Sequence, residues 1–474
     1  MKWSTILSPV RLRNFSSGAV STDLRSEFEK DYHRIIVSAS FRRLQDKTQV
    51  HPLDKSDFIR TRLTHSMEVS SVARSLGQNI SQYIIRNGRD PEFDLQMQSD
   101  VCSILQCAGL IHDIGNPPFG HFGETTIREW FRDHLPLMTF EGKPLTEVLS
   151  PQMTADFCNF EGNAQALRLV TRLHFLVDDN GMNLTCALLS TIIKYPHSSL
   201  EMNPDSEDIK DKKMGYFYSE RDIFEKIREA TQVRGCRHPL SFILEAADDI
   251  AYLTADIEDG YKKGFISYRH LLEELYSEKV VDHLTGEERR TYLEMADKLE
   301  QKYESGKKRG VTDPESYAVA NWIVAVQGFL INCATYGFTR NYTAIMNGTY
   351  PHDLFFGTHG KALHDMLGDV AYRHVFVSHP IFKIELSAAT VLHYLLEKFT
   401  AAAIYYDTDH RLTDVQEKLM TLISDNYKYI YRRQSAGKSP EEKLYLRLLL
   451  VTDYICGMTD SYAKRLYQDL NGID

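Results

Sequence analysis

The residues best suited to chemistry lie in one run of fourteen, residues 111–124, which holds two histidines and two acids. The adjacent His112 and Asp113 offer one nitrogen and one oxygen ligand, donor types that zinc, manganese, iron and nickel accept in proteins. His121 and Glu124 follow with a spacing of three, which places them on one side of a helical turn. An acid–base pair beside a metal is the composition of a hydrolytic site. The run therefore predicts metal-dependent hydrolysis.

A cation needs more ligands than one His-Asp pair, and His65 is the first further candidate. The apolar residues that follow it recur at helical spacing, so His65 lies on the buried stripe of a helix: Val69, Val72, Leu76 and Ile80. A lone histidine in such a place is more often a core residue with satisfied hydrogen bonds. Because the His-Asp pair lacks other obvious partners, a ligand role is favoured here.

The second candidate is an acid in the apolar segment 242–252, where Asp248 and Asp249 lie side by side. Buried carboxylates are costly unless they are paired or bind a metal. Asp248 shares a helical face with Leu244 and Tyr252, and Asp249 is rotated by about 100°. Since the apolar surface of this segment is broad, periodicity does not decide between the two aspartates. Two acids that cap or pair on a solvated face are the weaker alternative.

Composition limits the function classes that the chain can belong to. The 474 residues carry 65 acids against 55 bases, a net charge of −10, which gives no general positive field for nucleic acid. Six bases are nevertheless concentrated around His65 and the predicted site, where phosphate binding is about as good an interpretation as solvated surface charge: Arg42, Arg43, Lys47, Arg60, Arg62 and Lys194. Seven scattered cysteines without a C-x-x-C pair fit a reducing cytosol. No segment resembles a signal peptide or a membrane span.

The chain reads as all-α, since helical periodicity dominates and neither sustained strand alternation nor a Gly-rich phosphate loop is found. The clearest helical stretches are 62–86, 98–113, 124–134, 161–177, 184–194, 240–261, 317–335, 385–405, 412–432 and 440–470. Polar breaks are predicted near 136–156, 197–215, 303–315 and 434–440, with 304–310 as the best candidate for a mobile loop. Every proposed ligand falls between 65 and 248, so we expect a catalytic core at 30–265 and a helical C-terminal extension at 266–474.

Taken together, these segments resemble the HD superfamily of metal-dependent phosphohydrolases, and more closely the bacterial deoxyguanosine triphosphate triphosphohydrolases (dGTPases). The resemblance extends from about residue 30 to 465 in the family's order. Its segments are RRLQDKTQV (42–50), RTRLTHSMEV (60–69), HDIGNPPFGHFGE (112–124), FEGNAQ (160–165), KY (194–195), EAADDI (245–250) and DYICGMTD (453–460).

The resemblance implies an HD-domain helical metallohydrolase core that holds one divalent cation per subunit, Mn²⁺ or Mg²⁺, although two imidazoles alone favour a transition metal. Its ligand order settles the open choice in favour of Asp248, so the implied ligands are His65, His112, Asp113 and Asp248. His121 and Glu124 become the catalytic pair, although at this point Glu124 could also simply cap a helix. The implied substrate-binding residues are Gln49, Arg62, Asn163, Lys194, Tyr195, Tyr252, Asp256 and Glu385.

The implied reaction is hydrolysis of dGTP to deoxyguanosine and inorganic triphosphate in the cytoplasm, by a homo-oligomer (hexamer or tetramer) without a membrane partner. The extension is expected to pack on the core and to contribute to the substrate pocket and to oligomerisation. A broader dNTP triphosphohydrolase, or another HD-domain phosphohydrolase, is the alternative within the class. Single-stranded DNA is a further partner that the resemblance suggests, and a single-stranded nucleic-acid-binding protein is the alternative of another class. The acidic balance makes this last function secondary.

Overall fold

The computed structural model describes residues 1–13, 23–49, 60–174, 181–377 and 379–473, except for the side chains of residues 379 and 380. The predicted all-α class is confirmed. Within the described ranges the strands are one short antiparallel pair, β1 (Thr139–Phe140) and β2 (Lys143–Pro144), in which Thr139 faces Pro144. This pair lies inside the polar break that the sequence predicts near 136–156.

The helices of the first half include all those expected to carry the metal ligands. They are α1 Trp3–Ile6, α2 Glu27–Ile36, α3 Ala39–Arg43, α4 Arg62–Arg86, α5 Leu95–Ile111, α6 Gly120–His134, α7 Leu145–Val148, α8 Pro151–Cys158, α9 Gly162–Arg168, α10 Cys186–Ile192, α11 Arg221–Thr231 and α12 Pro239–Lys262. Residues Leu169–Leu173 continue α9 as a π-helical turn, and 3₁₀ turns occupy Leu44–Asp46, Ile209–Asp211 and Tyr218–Glu220.

The second half is helical as well. Its helices are α13 Tyr268–Leu275, α14 Glu278–Val281, α15 Gly286–Lys308, α16 Pro314–Arg340, α17 Tyr342–Met346, α18 Lys361–Ala371, α19 His379–Ala403, α20 Asp414–Leu422, α21 Asp425–Ser435, α22 Pro440–Cys456 and α23 Asp460–Asn471. A π-helical turn, Tyr372–Phe376, follows α18. The prediction of a mobile loop at 304–310 is wrong for residues 304–308, which form the last turns of α15.

Helices α4 and α5 pack closely because of a glycine. A Cβ built on Gly109 of α5 would lie 2.5 Å from the Cα of Ser70 on α4, so a larger residue would push the two helices apart. Both helices are also fixed at their start, since the side chains of Thr61 and Asp94 accept hydrogen bonds from backbone N–H groups of the first turn. The close approach brings the start of α4 near the end of α5.

Two buried apolar clusters organise the chain, and each includes residues from both sides of position 265. The first contains Leu105 of α5, Leu244 of α12 and Trp322 of α16. The second contains Phe131 of α6 and Leu448 of α22. The helices after 265 therefore complete the cores around the helices before it, and the division into a core and an extension stays a prediction.

Helix α16 is the one described helix whose length and apolar composition would suffice to cross a membrane, and 44% of its apolar window is buried inside the protein. It packs against α12 and α15, where Trp322 Nε1 donates a hydrogen bond to the carbonyl of Met295, 2.8 Å away. Gln327 also donates to the hydroxyl of Thr254 on α12, at 2.9 Å. These contacts are those of a core helix in this fold.

Candidate metal centre and active site

The four side chains predicted as ligands converge at one point between α4, α5 and α12. Nε2 of His65 and Nε2 of His112 each lie 3.3 Å from Oδ1 of Asp248, and Nε2 of His112 lies 3.6 Å from Oδ1 of Asp113. The two imidazole rings meet edge to face, with centroids 5.3 Å apart. Both histidines are buried, whereas the carboxylates keep some exposure. Two nitrogens and two oxygens therefore face a common centre.

This donor set of two imidazoles and two carboxylates fits a divalent cation. Nδ1 of His112 is 2.8 Å from the carbonyl of Gly109, so it donates its proton there and leaves the lone pair of Nε2 free. That Nε2 is buried without a hydrogen-bond partner in the described part of the chain. The ligand atoms of His65, His112 and Asp113 all lie within 4.8 Å of one another. A cation held by these side chains would satisfy the buried nitrogen.

Two bases hold the outer oxygens of the two carboxylates. Lys194, which follows α10, donates to Oδ2 of Asp248 at 3.0 Å, and Arg62 at the start of α4 contacts Oδ2 of Asp113. Burial alone would raise the pKa of both acids. The charge of Lys194 nevertheless keeps the pKa of Asp248 well below its ordinary value, and the charge of Arg62 contributes to lowering that of Asp113. Both aspartates are thus ionised, with Oδ1 of each turned to the centre.

The loop after the His-Asp pair is shaped by two residues in the left-handed region, Phe119 (φ 65°) and Gly120 (φ 62°). A Cβ on Gly120 would lie 2.5 Å from Nη2 of Arg62, so this position requires glycine. The C-terminal helices hold the same loop in place. Oδ1 of Asp460 accepts a hydrogen bond from Phe119 N at 2.9 Å, and Nζ of Lys47 donates to the carbonyls of Asn116 and Cys456, both at 2.6 Å.

The six predicted phosphate-binding bases separate into two groups in the structure. Lys47 is buried, which lowers its pKa to about 8, and it serves the loop carbonyls. Arg60 pairs with three acids, Glu68, Glu258 and Asp259. Arg42 donates to the carbonyl of Val37, and Arg43 to that of Gly457. These four bases therefore form hydrogen bonds and ion pairs within the fold, whereas Arg62 and Lys194 lie beside the convergent carboxylates.

His121 and Glu124 form the predicted pair on α6. Nδ1 of His121 lies 2.9 Å from Oε2 of Glu124, and Oε1 of Glu124 accepts a hydrogen bond from Gly162 N at 2.8 Å. Glu124 is buried, whereas the His121 side chain is 77% exposed. Because α6 begins at Gly120 and has no acid in its first turn, Glu124 does not cap that helix. The attraction of Glu124 raises the pKa of His121 above its ordinary value.

Two of the residues predicted to bind substrate, Asp256 and Gln49, carry a buried oxygen without a hydrogen-bond partner among the described residues, and Tyr252 lies between Asp248 and Asp256 along α12. Asp256 lies two turns after Asp248 on α12; it is buried, its Oδ2 has no hydrogen-bond partner in the structure as described, and burial raises its pKa far above normal. Tyr252 lies one turn after Asp248, and burial followed by the charge of Asp249 raises its pKa. Gln49 is partly buried, with an unpartnered Oε1, and it borders residues outside the described ranges.

The remaining predicted substrate residues are distributed over three elements. Lys194 and Tyr195 follow α10, and Nζ of Lys213 lies 5.9 Å from the centre of the Tyr195 ring. Asn163 donates to Oε1 of Glu161 at 2.8 Å. Glu385 lies on α19, which packs on α6, but among the described residues it makes no hydrogen bond or ion pair with the other seven.

Two residues near the centre carry no signal in the sequence. His364 of α18 faces Asp249, with Nε2 3.6 Å from Oδ2, so Asp249 points away from the convergent ligands. Burial raises the pKa of Asp249 to about 6. Lys213 bonds Glu161 at 3.2 Å and lies close enough to lower the pKa of Glu124 by its charge. Lys213 lies in a run of charged residues and His364 precedes an acid, so neither stands out in sequence and only their distant partners reveal a role.

Comparisons with known proteins agree with this arrangement. The HD domain family matches residues 62–201, a span that holds His65, His112 and Asp113, whereas Asp248 lies beyond it. A deoxyguanosinetriphosphate triphosphohydrolase-like protein of Listeria monocytogenes is 48% identical over 479 residues, covering 100% of both chains. One from Pseudomonas aeruginosa is 34% identical, covering 100% of this chain and 99% of its own.

A protein of Salmonella paratyphi A that is named a deoxyguanosinetriphosphate triphosphohydrolase is 34% identical, covering 94% of each chain. The alignment with the Listeria protein spans every residue of this chain, including the convergent ligands, the His121–Glu124 pair and the C-terminal helices that hold their loop. The chain is therefore an HD-domain phosphohydrolase and belongs to the dGTPase family of the HD superfamily.

Proposed function

We propose that the protein hydrolyses dGTP to deoxyguanosine and inorganic triphosphate. The observation that carries the proposal is the convergence of His65, His112, Asp113 and Asp248, with the His121–Glu124 pair on the adjoining helix. The name of the Salmonella relative gives the nucleotide. A bound divalent cation would lower the pKa of water and offset the charge that develops on the attacked phosphate.

Arg62 and Lys194 are proposed to bind the triphosphate. Each pairs with one oxygen of a ligand carboxylate and therefore lies at the edge of the centre. Because Arg has five N–H donors and Lys has three, each keeps further donors for phosphate oxygens. Guanidinium and ammonium groups donate hydrogen bonds to phosphate oxygens, and their charge stabilises a phosphate most strongly where water is excluded. Lys213, beside Glu161 and the Tyr195 ring, is a further base that the substrate could reach.

His121 is proposed to act as the general acid. Its Nδ1 is held by Glu124, so Nε2, on the exposed edge of the ring, is free to face substrate. The raised pKa keeps the imidazolium populated near neutrality. When the bond between the α-phosphorus and the 5′ oxygen breaks, His121 would give its proton to that oxygen, while the water oxygen stays on the triphosphate.

The Glu124→Gln variant tests this assignment through the pH dependence of kcat. The wild-type rate should fall as pH rises through the pKa of His121, because the acid form is lost. Glutamine removes the negative charge that raises this pKa, so the alkaline limb should move to lower pH. The measurement is a kcat–pH profile at saturating dGTP and fixed cation. An alkaline limb that stays in place would exclude His121 as the acid.

Selectivity for the deoxyribose and for guanine is proposed to come from the remaining predicted residues. Tyr252 and Gln49 would form a wall too close for a 2′-hydroxyl, and the unpartnered oxygens of Gln49 and Asp256 leave polar groups that could form hydrogen bonds with the substrate. Asn163, Tyr195 and Glu385 are proposed further contacts, Glu385 with the guanine edge. A site built on hydrogen bonds rejects analogues that leave its polar groups unpaired.

Incubation with each dNTP and with GTP, in the presence of Mn²⁺, tests the reaction and its selectivity together. We expect dGTP to yield deoxyguanosine and triphosphate, with kcat/KM higher than for the other nucleotides. Chromatographic separation of triphosphate from pyrophosphate and phosphate gives the readout. Comparable values for dGTP and dATP would make the protein a general dNTP triphosphohydrolase, and release of dGDP with phosphate would exclude the proposed reaction.

We also propose the working cation, the compartment and the assembly of the enzyme. The working cation is proposed to be Mn²⁺ or Mg²⁺, one per subunit. Seven cysteines without disulfides support a reducing compartment, and we place the enzyme in the cytoplasm. We propose residues 30–265 as the catalytic core and 266–474 as an extension that completes the pocket and forms a tetramer or hexamer.

A further inference from the structure

A second group of metal-ligating side chains lies apart from the centre described above, in the C-terminal half of the chain. His270 and Glu274 are one turn apart on α13, and His374 lies in the π-helical turn Tyr372–Phe376. Nε2 of His374 is 3.1 Å and Nε2 of His270 is 3.5 Å from the same oxygen, Oε1 of Glu274. One ligand atom from each lies within 4.8 Å of the other two.

The two segments that carry these side chains are anchored independently of them. On α13, Ser267 caps the first turn by accepting a hydrogen bond from His270 N, and Leu271 and Leu275 are buried in the first apolar cluster. In the turn, Val375 packs on α12, where a Cβ on Gly260 would lie 2.8 Å from its Cγ2. The three ligands are therefore held near one another by packing, which lowers the entropy cost of binding an ion.

The Glu274 carboxylate of this cluster is already paired with a cationic group, the guanidinium of Arg373. Arg373 donates to both oxygens of Glu274, at 2.7 and 2.8 Å, and lies 3.1 Å from Nε2 of His374. These hydrogen bonds lower the pKa of Glu274 to about 2, so its carboxylate is ionised throughout the physiological range. Arg373 has a second carboxylate partner, Asp369, at 2.7 Å. A metal ion could therefore replace the guanidinium at Glu274 without leaving Arg373 unpaired.

We propose that His270, Glu274 and His374 form a second metal site, selective for a first-row transition cation such as Zn²⁺. Two imidazoles and one carboxylate are a common zinc donor set, and imidazole disfavours Mg²⁺ and Ca²⁺. Water would complete the coordination, since the three side chains are 38%, 17% and 20% exposed. The ion would join α13 to the turn before α19 and so fix both against the helix that carries Asp248.

Metal content tests the proposal in the full-length protein. After chelation and dialysis against Co²⁺, whose visible absorption reports its ligands, we expect two ions per wild-type chain. His112→Ala should remove the ion at the candidate catalytic centre and leave one. His374→Ala and Glu274→Gln should each remove the other ion, and the double variant His112→Ala/His374→Ala should bind none. His283→Ala, which changes an exposed histidine between α14 and α15, is the matched control and should keep both.

Arg373→Ala distinguishes a metal site from an ion-pair network. Because its charge opposes a cation and its donors occupy Glu274, removing it should tighten Co²⁺ binding at this site by about fivefold or more. If the cluster is only an ion-pair network, the same change would weaken contacts between its side chains and would not tighten Co²⁺ binding. Circular dichroism and gel filtration establish that each variant is folded. Unchanged Co²⁺ stoichiometry in folded His374→Ala and Glu274→Gln, or no tightening in Arg373→Ala, would overturn the proposal.

Discussion

Asp248→Ala is expected to remove the bound divalent cation and to lower kcat/KM for dGTP by at least about 10³-fold. Both buried imidazoles approach Oδ1 of Asp248, at 3.3 Å each. Without it, two nitrogens and one carboxylate remain, and Lys194 loses its carboxylate partner and places an uncompensated charge beside the centre. Loss of the cation removes several kcal/mol of electrostatic stabilisation of the transition state. Because about 1.4 kcal/mol corresponds to a factor of ten in rate, this loss accounts for the expected decrease in kcat/KM.

The matched control is Asp249→Ala, the neighbouring acid of the same helix. Its carboxylate faces His364 at 3.6 Å, so the change should leave cation content intact and have a much smaller effect on activity. Metal analysis of both purified variants, alongside rates at saturating cation, gives the comparison. An Asp248→Ala protein that retains full cation occupancy would contradict the ligand assignment.

The helices that carry the ligands were the most predictable part of the fold. Apolar spacing predicts 62–86 and the structure has Arg62–Arg86; it predicts 240–261 and the structure has Pro239–Lys262. Both helices bury a continuous face, which is the property that periodicity measures. No helix is predicted at 286–308, where the structure has α15, because this helix is rich in charged residues and buries few side chains, so its sequence shows no clear apolar stripe.

The sequence predicts long C-terminal helices, but it does not predict the breaks that divide them into shorter helices. The stretch 440–470 is interrupted after Cys456, and α23 restarts at Asp460 with the side chain of Thr459 as its cap. A threonine followed by an acid is a typical N-terminal signal of a helix. Here the signal is hard to recognise, because an apolar helical pattern continues on both sides of it. The break matters to the site, because it places the Asp460 carboxylate against Phe119 N.

The sequence predicts which residue types form the candidate site, but it does not predict the direction in which each side chain points. Periodicity could not separate Asp248 from Asp249, since both lie on a helix buried on most sides, and the choice rested on the resemblance. The structure separates them through partners that are distant in sequence, Lys194 and His364. Lys47 shows the same limit: sequence identifies a base near the motif, but only the fold reveals that it donates hydrogen bonds to two carbonyls.

His121→Ala is expected to lower kcat by roughly 10²–10⁴-fold while the cation stays bound, the range usual for general acid–base residues. The imidazole is bonded to Glu124 at 2.9 Å and is 77% exposed, and it is absent from the cluster of convergent nitrogens and oxygens. Its loss removes a proton donor but no ligand. Single-turnover rates with dGTP, measured together with cation content, provide the test.

The control for damage to α6 is His134→Ala, at the other end of the same helix, where Nδ1 of His134 bonds only the carbonyl of Trp130. That variant should keep nearly full activity, since the His134 ring stacks on Trp130 and, within the described ranges, makes no hydrogen bond to the site. If His121→Ala instead empties the cation site, His121 is a ligand and the centre has a different donor set. If it keeps both cation and rate, the leaving 5′ oxygen takes its proton from another source, and the role of Glu124 is then to bond Gly162 N and fix α9 against α6.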